Sequence, residues 1–204
     1  MKFTDFIKEH FDFRIYPVTV IAILVALSII PCAMYLPPAW GYENGIIEDI
    51  QMLTLIIGLF LAVFAKENKQ FFYFVGLAVF MIMAREVSYG RTLFLAVPGE
   101  PNVFYSWKDF KYGWLVNPLV GLYITGTFLY FIVSKAYLQM WNIIKKVKFP
   151  VWNFLLAVVG ISVSLYIEKH ADNDVFEEMA ELLFYVAVVG IIWLYAYNKN
   201  FSTK

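Results

Sequence analysis

The chain has 204 residues, of which 61% are hydrophobic and 20% aromatic. Ordinary globular domains are about 45–50% apolar, so this composition excludes a water-soluble globular protein and indicates an integral membrane protein. Sixteen basic residues balance sixteen acidic residues, and this neutral total excludes a broad basic surface that would recruit nucleic acid.

The first predicted element is an amphipathic helix that precedes Pro17. At about 100° per residue, its apolar and polar residues fall on opposite sides of a helix. The apolar side holds Phe3, Phe6, Ile7, His10, Phe11 and Phe13, and the polar side holds Thr4, Asp5, Lys8, Glu9 and Asp12. This pattern is typical of a helix that lies in the membrane interface. Because acids and bases alternate here, the segment does not resemble a secretory signal, and we expect it to be retained.

Six apolar stretches follow, and each is close to the roughly 20 residues that cross a bilayer. They cover residues 18–36, 46–65, 71–97, 114–134, 150–168 and 175–198. We therefore predict an all-α bundle of six transmembrane helices, formed by one transmembrane domain over residues 1–204. Most Lys and Arg residues of the connections fall on the side of the two termini. The positive-inside rule then predicts a multi-pass inner-membrane protein with both termini in the cytoplasm.

Two parts of the chain read as copies of one unit. "YPVTVIAILVALSII" aligns with "FPVWNFLLAVVGISV", which matches Pro17 with Pro150. Further along, Glu48–Asp49 match Glu177–Glu178. Because both copies enter the membrane from the same side, a duplication of residues 1–70 and 135–204 would produce a parallel repeat. Apolar strings also align by chance, and the sequence leaves that alternative open.

The third predicted span carries charges where hydrocarbon is expected. Arg85, Glu86 and Arg91 lie in "AREVSYGR", after a long apolar run. A cation inside the bilayer is costly, so Arg85 should pair with a carboxylate or turn outward to the interface. Most acidic residues of the chain belong to the outer side, where they could neutralise both arginines. We interpret the arginines as tolerated because acids from neighbouring spans reach the same depth.

The fourth span repeats small or short side chains at intervals of four residues. Gly113, Asn117, Gly121 and Thr125 form this seam. Such a seam favours close packing of helices over chemistry.

The sixth span begins with a stripe of carboxylates. Glu177, Glu178, Glu181 and Tyr185 project within about 100° of one another on a helix. A stripe that faced lipid would be costly, so we expect it to face a polar chamber. Two plainer interpretations stay open. Acids favour a helix N-terminus, as in a capping box of Asp174 and Glu177, and buried ion pairs can specify packing without any chemistry.

Together these patterns predict an outward-facing Arg/carboxylate site. The candidate catalytic residues are Glu181, Glu178 and Glu86. The candidate ligand-binding residues are Arg85, Arg91, Glu48, Asp49, Tyr89, Glu168, His170, Glu177 and Tyr185. A buried carboxylate would act as a general acid or base, and an arginine would hold an anionic group.

Several cofactors and enzyme classes are disfavoured. His10 and His170 belong to opposite surfaces, so the chain alone cannot build a bis-histidine haem, and zinc is not expected either. A hard-cation site for Ca²⁺ or Mg²⁺ with Glu and Asp ligands stays possible, although no metal ligand can be named. The single cysteine, Cys32, excludes an internal disulfide. The chain contains no P-loop, dinucleotide glycine motif, nucleophile elbow or HExxH motif.

The stretch "REVSYGRTLF", together with the acid pair that opens the second span, resembles segments of the form E-[IL]-S-[WY]-G-x-R. Such segments occur in uncharacterised bacterial polytopic membrane proteins. The resemblance covers a short part of the chain and implies no activity, so no residue role follows from it.

Three functions remain open. The first is a protein whose site binds a polar or charged ligand, for which a lipid headgroup is the best candidate. Such a protein could also act on the bound lipid as an enzyme. The second is a transporter or ion-conducting assembly, and the third is a noncatalytic membrane subunit or sensor. Membrane lipids are the expected partners, and a homo-oligomer or a membrane protein partner stays open.

Overall fold

The computed structural model describes residues 9–98, 103–171 and 173–197. It confirms the all-α helical bundle that the sequence predicts. The helices are α1 (Pro17–Tyr35), α2 (Ile46–Val63), α3 (Lys69–Glu86), α4 (Arg91–Phe94), α5 (Val116–Val133), α6 (Ala136–Lys146), α7 (Val151–His170) and α8 (Asp174–Tyr197). Two strands of two residues each accompany them, β1 (Phe11–Asp12) and β2 (Phe149–Pro150).

Five helices of the described chain are long and apolar enough to cross a membrane, namely α1, α2, α5, α7 and α8. A sixth crossing results if α3 and the bent segment that follows it count as one span. Large apolar side chains such as Leu24, Leu27 and Leu122 stay exposed on the outside of these helices. Exposed apolar surface on this scale is typical of a protein whose surroundings are themselves apolar.

Helix α8 lies at the centre of the bundle, and α5 lies at its edge. Of the apolar stretch in each helix, 56% is buried in α8 and none is buried in α5. Fully buried α8 residues, Leu183 and Ala187 among them, pack into the core with Ala22 of α1 and Ile47 of α2. Any group on the inner face of α8 is therefore held by several helices at once.

The close contact between α7 and α8 depends on Gly160. A Cβ atom added to Gly160 would lie 2.7 Å from the backbone nitrogen of Phe184 and 2.9 Å from the backbone oxygen of Ala180. Such distances are shorter than real Cβ contacts, so only glycine permits this approach of the two helix backbones.

The predicted packing seam of the fourth span is wrong for its helical part. No residue of α5 is buried, and no atom of the described chain lies within 4 Å of a Cβ built on Gly121. Asn117 and Thr125 are exposed as well. Position 113 does require glycine, because a Cβ there would collide with the backbone of Trp107. The spacing of small residues was typical of packing, but it did not show whether a neighbouring helix is present.

The third span ends earlier than predicted. Helix α3 stops at Glu86, and the segment Ser88–Phe94 continues at an angle of 58°. The backbone adopts the left-handed conformation there, because Ser88, Tyr89 and Gly90 have φ values of 45°, 57° and 91°. The prediction of one continuous span over residues 71–97 is therefore wrong.

The predicted N-terminal amphipathic helix is wrong at Phe11–Phe13. Phe11–Asp12 form β1, which pairs in parallel with Phe149–Pro150 of β2. Residues 1–8, with Phe3, Thr4, Asp5, Phe6, Ile7 and Lys8 of that prediction, lie outside the described residues. Side chains strengthen this long-range contact, because Trp152 Nε1 donates to the Phe13 carbonyl at 2.8 Å and Thr19 Oγ1 donates to Asn153 Oδ1 at 2.6 Å. Tertiary pairing here overrides the helical periodicity.

A buried carboxylate holds the turn between β1 and α1. Asp12 accepts hydrogen bonds from the Arg14 backbone nitrogen at 2.9 Å, from Arg14 Nη2 at 2.6 Å and from the Tyr16 hydroxyl at 2.8 Å. Burial by itself would raise the pKa of Asp12, but the hydrogen bonds from Arg14 and Tyr16 outweigh it and hold the pKa below its usual value. Burial, together with the hydrogen bond to Asp12, raises the pKa of Tyr16 to about 12.

We expect Asp12→Asn to lower the free energy of unfolding at pH 7 by about 1–2 kcal/mol, because it weakens charge-assisted hydrogen bonds. The pKa of Asp12 is lower in the folded chain than the ordinary value of 3.8. The stabilisation is therefore complete above that value and is lost as the pH falls through the folded pKa. Detergent-solubilised protein should show a gap in unfolding midpoint between wild type and variant at pH 7 that narrows below pH 3.8. The exposed Glu9→Gln is the matched control, and a gap that stays constant with pH would contradict the assignment.

Candidate functional site

A polar cavity of about 410 Å³ opens where α3 ends and α8 begins. We call it the acidic cavity, because six carboxylates and two guanidinium groups line it. Its lining consists of Glu43, Glu48, Arg85, Glu86, Ser88, Tyr89, Arg91, Trp107, Glu177, Glu178 and Glu181. The first turn of α2, the last turn of α3 and the first turns of α8 supply most of these side chains. If every group is charged, the lining carries an excess of negative charge.

Arg85 is the cation at the end of α3, and it is only loosely paired. Its Nη2 lies 3.6 Å from Glu181 Oε1, and its Nε lies 3.9 Å from Glu86 Oε1. Both distances exceed those of ordinary hydrogen bonds. The Arg85 side chain is 60% exposed, whereas those of Glu86 and Glu181 are 7% and 10% exposed. Arg85 therefore neutralises two buried carboxylates and still keeps N–H donors for a ligand.

Hydrogen bonds from three helices form the floor of the acidic cavity. Ser164 of α7 donates to Glu181 Oε1 at 3.1 Å. The Tyr185 hydroxyl donates to Glu86 Oε1 at 2.7 Å, and it lies 3.5 Å from Glu181 Oε2. The floor therefore links hydroxyl groups of α7 and α8 to carboxylates of α3 and α8. Because these donors are buried, they fix the direction in which the two carboxylates face the cavity.

A buried glutamine positions the wall formed by Glu178. Gln51 Nε2 donates both to the Glu178 carbonyl at 2.7 Å and to Glu178 Oε2 at 2.8 Å. The neighbouring Glu48 carboxylate accepts from the backbone nitrogen of Asn44. The side-chain oxygen of Gln51, Oε1, is buried and has no hydrogen-bond partner within the described chain. The pattern of charges did not single out Gln51, although it interrupts an apolar run one turn after Glu48.

Arg91 finds a different partner from those expected. Its Nη2 lies 3.1 Å from Glu43 Oε1, and its guanidinium lies over the Phe104 ring at 5.6 Å. The expectation that acids within the neighbouring spans neutralise Arg91 is therefore wrong, because Glu43 belongs to the turn before α2. The bend after Glu86 explains the difference, since it directs Arg91 away from the axis of α3.

The structure brings most of the predicted site residues together. Eight of them line the acidic cavity, namely Arg85, Glu86, Tyr89, Arg91, Glu48, Glu177, Glu178 and Glu181. Tyr185 contributes its hydroxyl to the floor. Their binding and catalytic roles stay predictions.

Three predicted site residues lie outside the lining. Asp49 and Glu168 are exposed side chains, and the acidic cavity is lined without them. His170 stacks on the Tyr166 ring at 4.5 Å, and its Nδ1 lies 2.9 Å from the Tyr166 carbonyl. These three residues therefore lie outside the lining of the acidic cavity, and their ligand-binding roles stay predictions.

Comparisons with protein-family models, with curated proteins and with solved structures find no match to this chain. The resemblance of "REVSYGRTLF" to segments of bacterial polytopic membrane proteins stays a prediction. Within the described residues, no three or more His, Cys, Asp or Glu side chains are grouped as a metal site.

Three lining residues were not predicted, namely Glu43, Ser88 and Trp107. Glu43 lies in the sequence "GYENG", which is typical of a turn, so its acid did not stand out from other loop acids. Trp107 reaches the cavity because its Nε1 donates to the Ser88 carbonyl at 3.2 Å. That contact requires the bend after Glu86, which no local pattern indicated.

Proposed function

We propose that this chain is an integral membrane protein that binds the polar headgroup of a lipid in the acidic cavity. The observation that carries the proposal is the combination of a largely exposed Arg85 with a surplus of carboxylates in one cavity. The helices that enclose this cavity present apolar surface to their surroundings, so a bound lipid would place its chains along them. The proposal includes an inner-membrane location with both termini in the cytoplasm and the cavity on the other side.

The charges favour a headgroup that carries both a phosphate and an amine. Arg85 has free N–H donors that suit a phosphate oxygen. The carboxylates outnumber the guanidinium groups six to two, so an anionic ligand alone would leave the acidic cavity unbalanced. An ammonium group would restore the balance, and the rings of Tyr89 and Trp107 offer it further cation–π contacts. Phosphoethanolamine is the simplest headgroup with this chemistry.

A lipid panel tests the proposal. Purified full-length protein in detergent is offered phosphatidylethanolamine, phosphatidylcholine or phosphatidylglycerol with identical acyl chains, and bound lipid is counted by native mass spectrometry. We expect phosphatidylethanolamine to bind about tenfold or more tightly than phosphatidylglycerol, since only the former presents an ammonium to the carboxylates. Phosphatidylcholine should be intermediate, because its methylated ammonium keeps the charge but cannot donate hydrogen bonds. Equal retention of the three lipids, or a preference for phosphatidylglycerol, would overturn the proposal.

Catalysis on the bound headgroup is a second candidate. The observation that favours it is the hydrogen-bonded floor, where Glu86 and Glu181 share contact with one hydroxyl of Tyr185. Glu86, Glu178 and Glu181 would then serve as proton donors or acceptors. Incubation with phosphatidylethanolamine vesicles and chromatography of the products decides the question. Recovery of intact lipid together with tight binding would leave binding as the function and dismiss catalysis.

A further inference from the structure

A second surface feature lies at the opposite end of the bundle from the acidic cavity. Helix α6 is amphipathic and connects α5 to α7. It meets α3 near Phe71, whose backbone nitrogen donates to Gln139 Oε1 at 3.0 Å. Phe71 and Glu86 are about 22 Å apart along α3, at 1.5 Å per residue. Whatever α6 binds is therefore distinct from the ligand of the acidic cavity.

Three sectors divide the surface of α6. The first sector packs on the bundle through the buried Ala136 and Ile143. The second is apolar but exposed, and it contains Tyr137, Leu138, Trp141 and Ile144. The third is basic, and it contains Lys145 and Lys146, with Lys135 just before the helix. Projected at about 100° per residue, Lys135 and Lys146 lie between Leu138 and the buried Ile143, whereas Lys145 lies beside the exposed apolar residues, between Trp141 and Leu138.

The charges within α6 and in the residues that flank it have one sign. Residues 134–149 contain Lys135, Lys145, Lys146 and Lys148 but no Asp or Glu. The Lys145 ammonium lies 5.0 Å from the centre of the Trp141 ring, which joins the basic sector to the apolar one. Lysines beside an exposed tryptophan and leucine are the combination found on helices that lie in the headgroup region of a membrane.

We propose that α6 lies flat on the membrane surface and binds acidic phospholipids through Lys135, Lys145 and Lys146. Leu138, Trp141 and Ile144 enter the acyl region, and the lysines contact the phosphates above them. The connections favour a lipid surface over an acidic protein, because α6 continues directly into α5 and α7, both long and apolar enough to cross a membrane. It therefore lies at the level where those helices leave the hydrocarbon.

Fluorescence quenching in proteoliposomes tests this proposal. The full-length protein is reconstituted in bilayers that contain either brominated phosphatidylglycerol or brominated phosphatidylcholine, and bromine quenches tryptophan on contact. Subtracting the signal of Trp141→Phe isolates the emission of Trp141. We expect the acidic lipid to be enriched about threefold to tenfold beside Trp141 at low salt, and the enrichment to fall in high salt.

A triple variant and a matched control complete the experiment. Lys135→Gln, Lys145→Gln and Lys146→Gln together should abolish the preference for phosphatidylglycerol while Trp141 remains quenched by both lipids. Lys108→Gln with Lys111→Gln removes exposed lysines far from α6 along the chain, and it should leave the preference unchanged. Equal quenching by the two lipids in the wild type would overturn the proposal. So would an unquenched Trp141, because α6 would then lie outside the bilayer.

Discussion

Replacing Gly160 by leucine is expected to destabilise the bundle by about 3 kcal/mol or more, because overpacking against a rigid neighbour is costly. The obstacle is the backbone of α8 at Ala180 and Phe184, which cannot move aside as a flexible side chain would. Helices α7 and α8 would have to separate, and α8 is the most buried helix of the bundle. We expect little monodisperse protein after detergent extraction and a large drop in the midpoint of SDS-induced unfolding.

The matched control is Gly121→Leu on α5. Both substitutions add the same side chain to the middle of a helix, and both gain the same helix propensity. Since nothing of the described chain lies within 4 Å of a Cβ on Gly121, its replacement should leave the stability unchanged or slightly raised. Gly160→Ala provides a milder variant, which should unfold earlier than wild type if Gly160→Leu cannot be purified. Similar effects at the two glycines would show that the close approach of α7 and α8 is not important for stability.

Glu181→Gln is expected to lower the affinity for phosphatidylethanolamine about tenfold to a hundredfold. The glutamine has the same shape and can still accept from Ser164, so the fold is kept while the charge that would hold the ammonium is lost. Asp49→Asn is the matched control, because Asp49 is an exposed acid outside the lining. The measurement is the lipid titration followed by native mass spectrometry. Unchanged affinity in Glu181→Gln would remove Glu181 from the binding site.

Arg85→Gln separates the two halves of the proposed headgroup. If Arg85 holds the phosphate, the variant should weaken phosphatidylethanolamine and phosphatidylglycerol by a similar factor, because both lipids carry that group. Glu181→Gln should instead weaken phosphatidylethanolamine alone, so that the discrimination between the two lipids disappears. The same pattern in both variants would contradict the assignment of separate phosphate and amine contacts.

The long apolar helices of the bundle were predictable because hydrophobicity and length decide them, whereas α6 was not predicted. Pro17 and Pro150 correctly marked where α1 and α7 begin, since proline suits a helix start and disfavours its interior. The carboxylates at the start of α8 were predictable as one stripe, because a helix places residues three and four apart on the same side. Local periodicity was sufficient for all of these features.

Features that depend on direction around a helix, or on distant partners, were not predictable. Asp49 and Glu168 lie at the right depth, but only the packing of α2 and α7 decides where they point. The bend after Glu86 requires positive φ values at Ser88 and Tyr89. Glycine, asparagine and aspartate commonly adopt such values, but serine and tyrosine do not, so the sequence did not indicate the bend. The pairing of β1 with β2 was not predictable either, because a strand of two residues is too short to show an alternating pattern of apolar and polar residues.

The contact between β1 and β2 also determines when during synthesis the start of α1 can be fixed. Thr19 and Asn153 are 134 residues apart, so the contacts that hold the start of α1 cannot form until the start of α7 has left the ribosome. Helices α1 and α2 are therefore synthesised before the partner strand of β1 exists. These contacts therefore form late, and a chain truncated before Phe149 would leave β1, with its buried Asp12, without the strand that pairs with it.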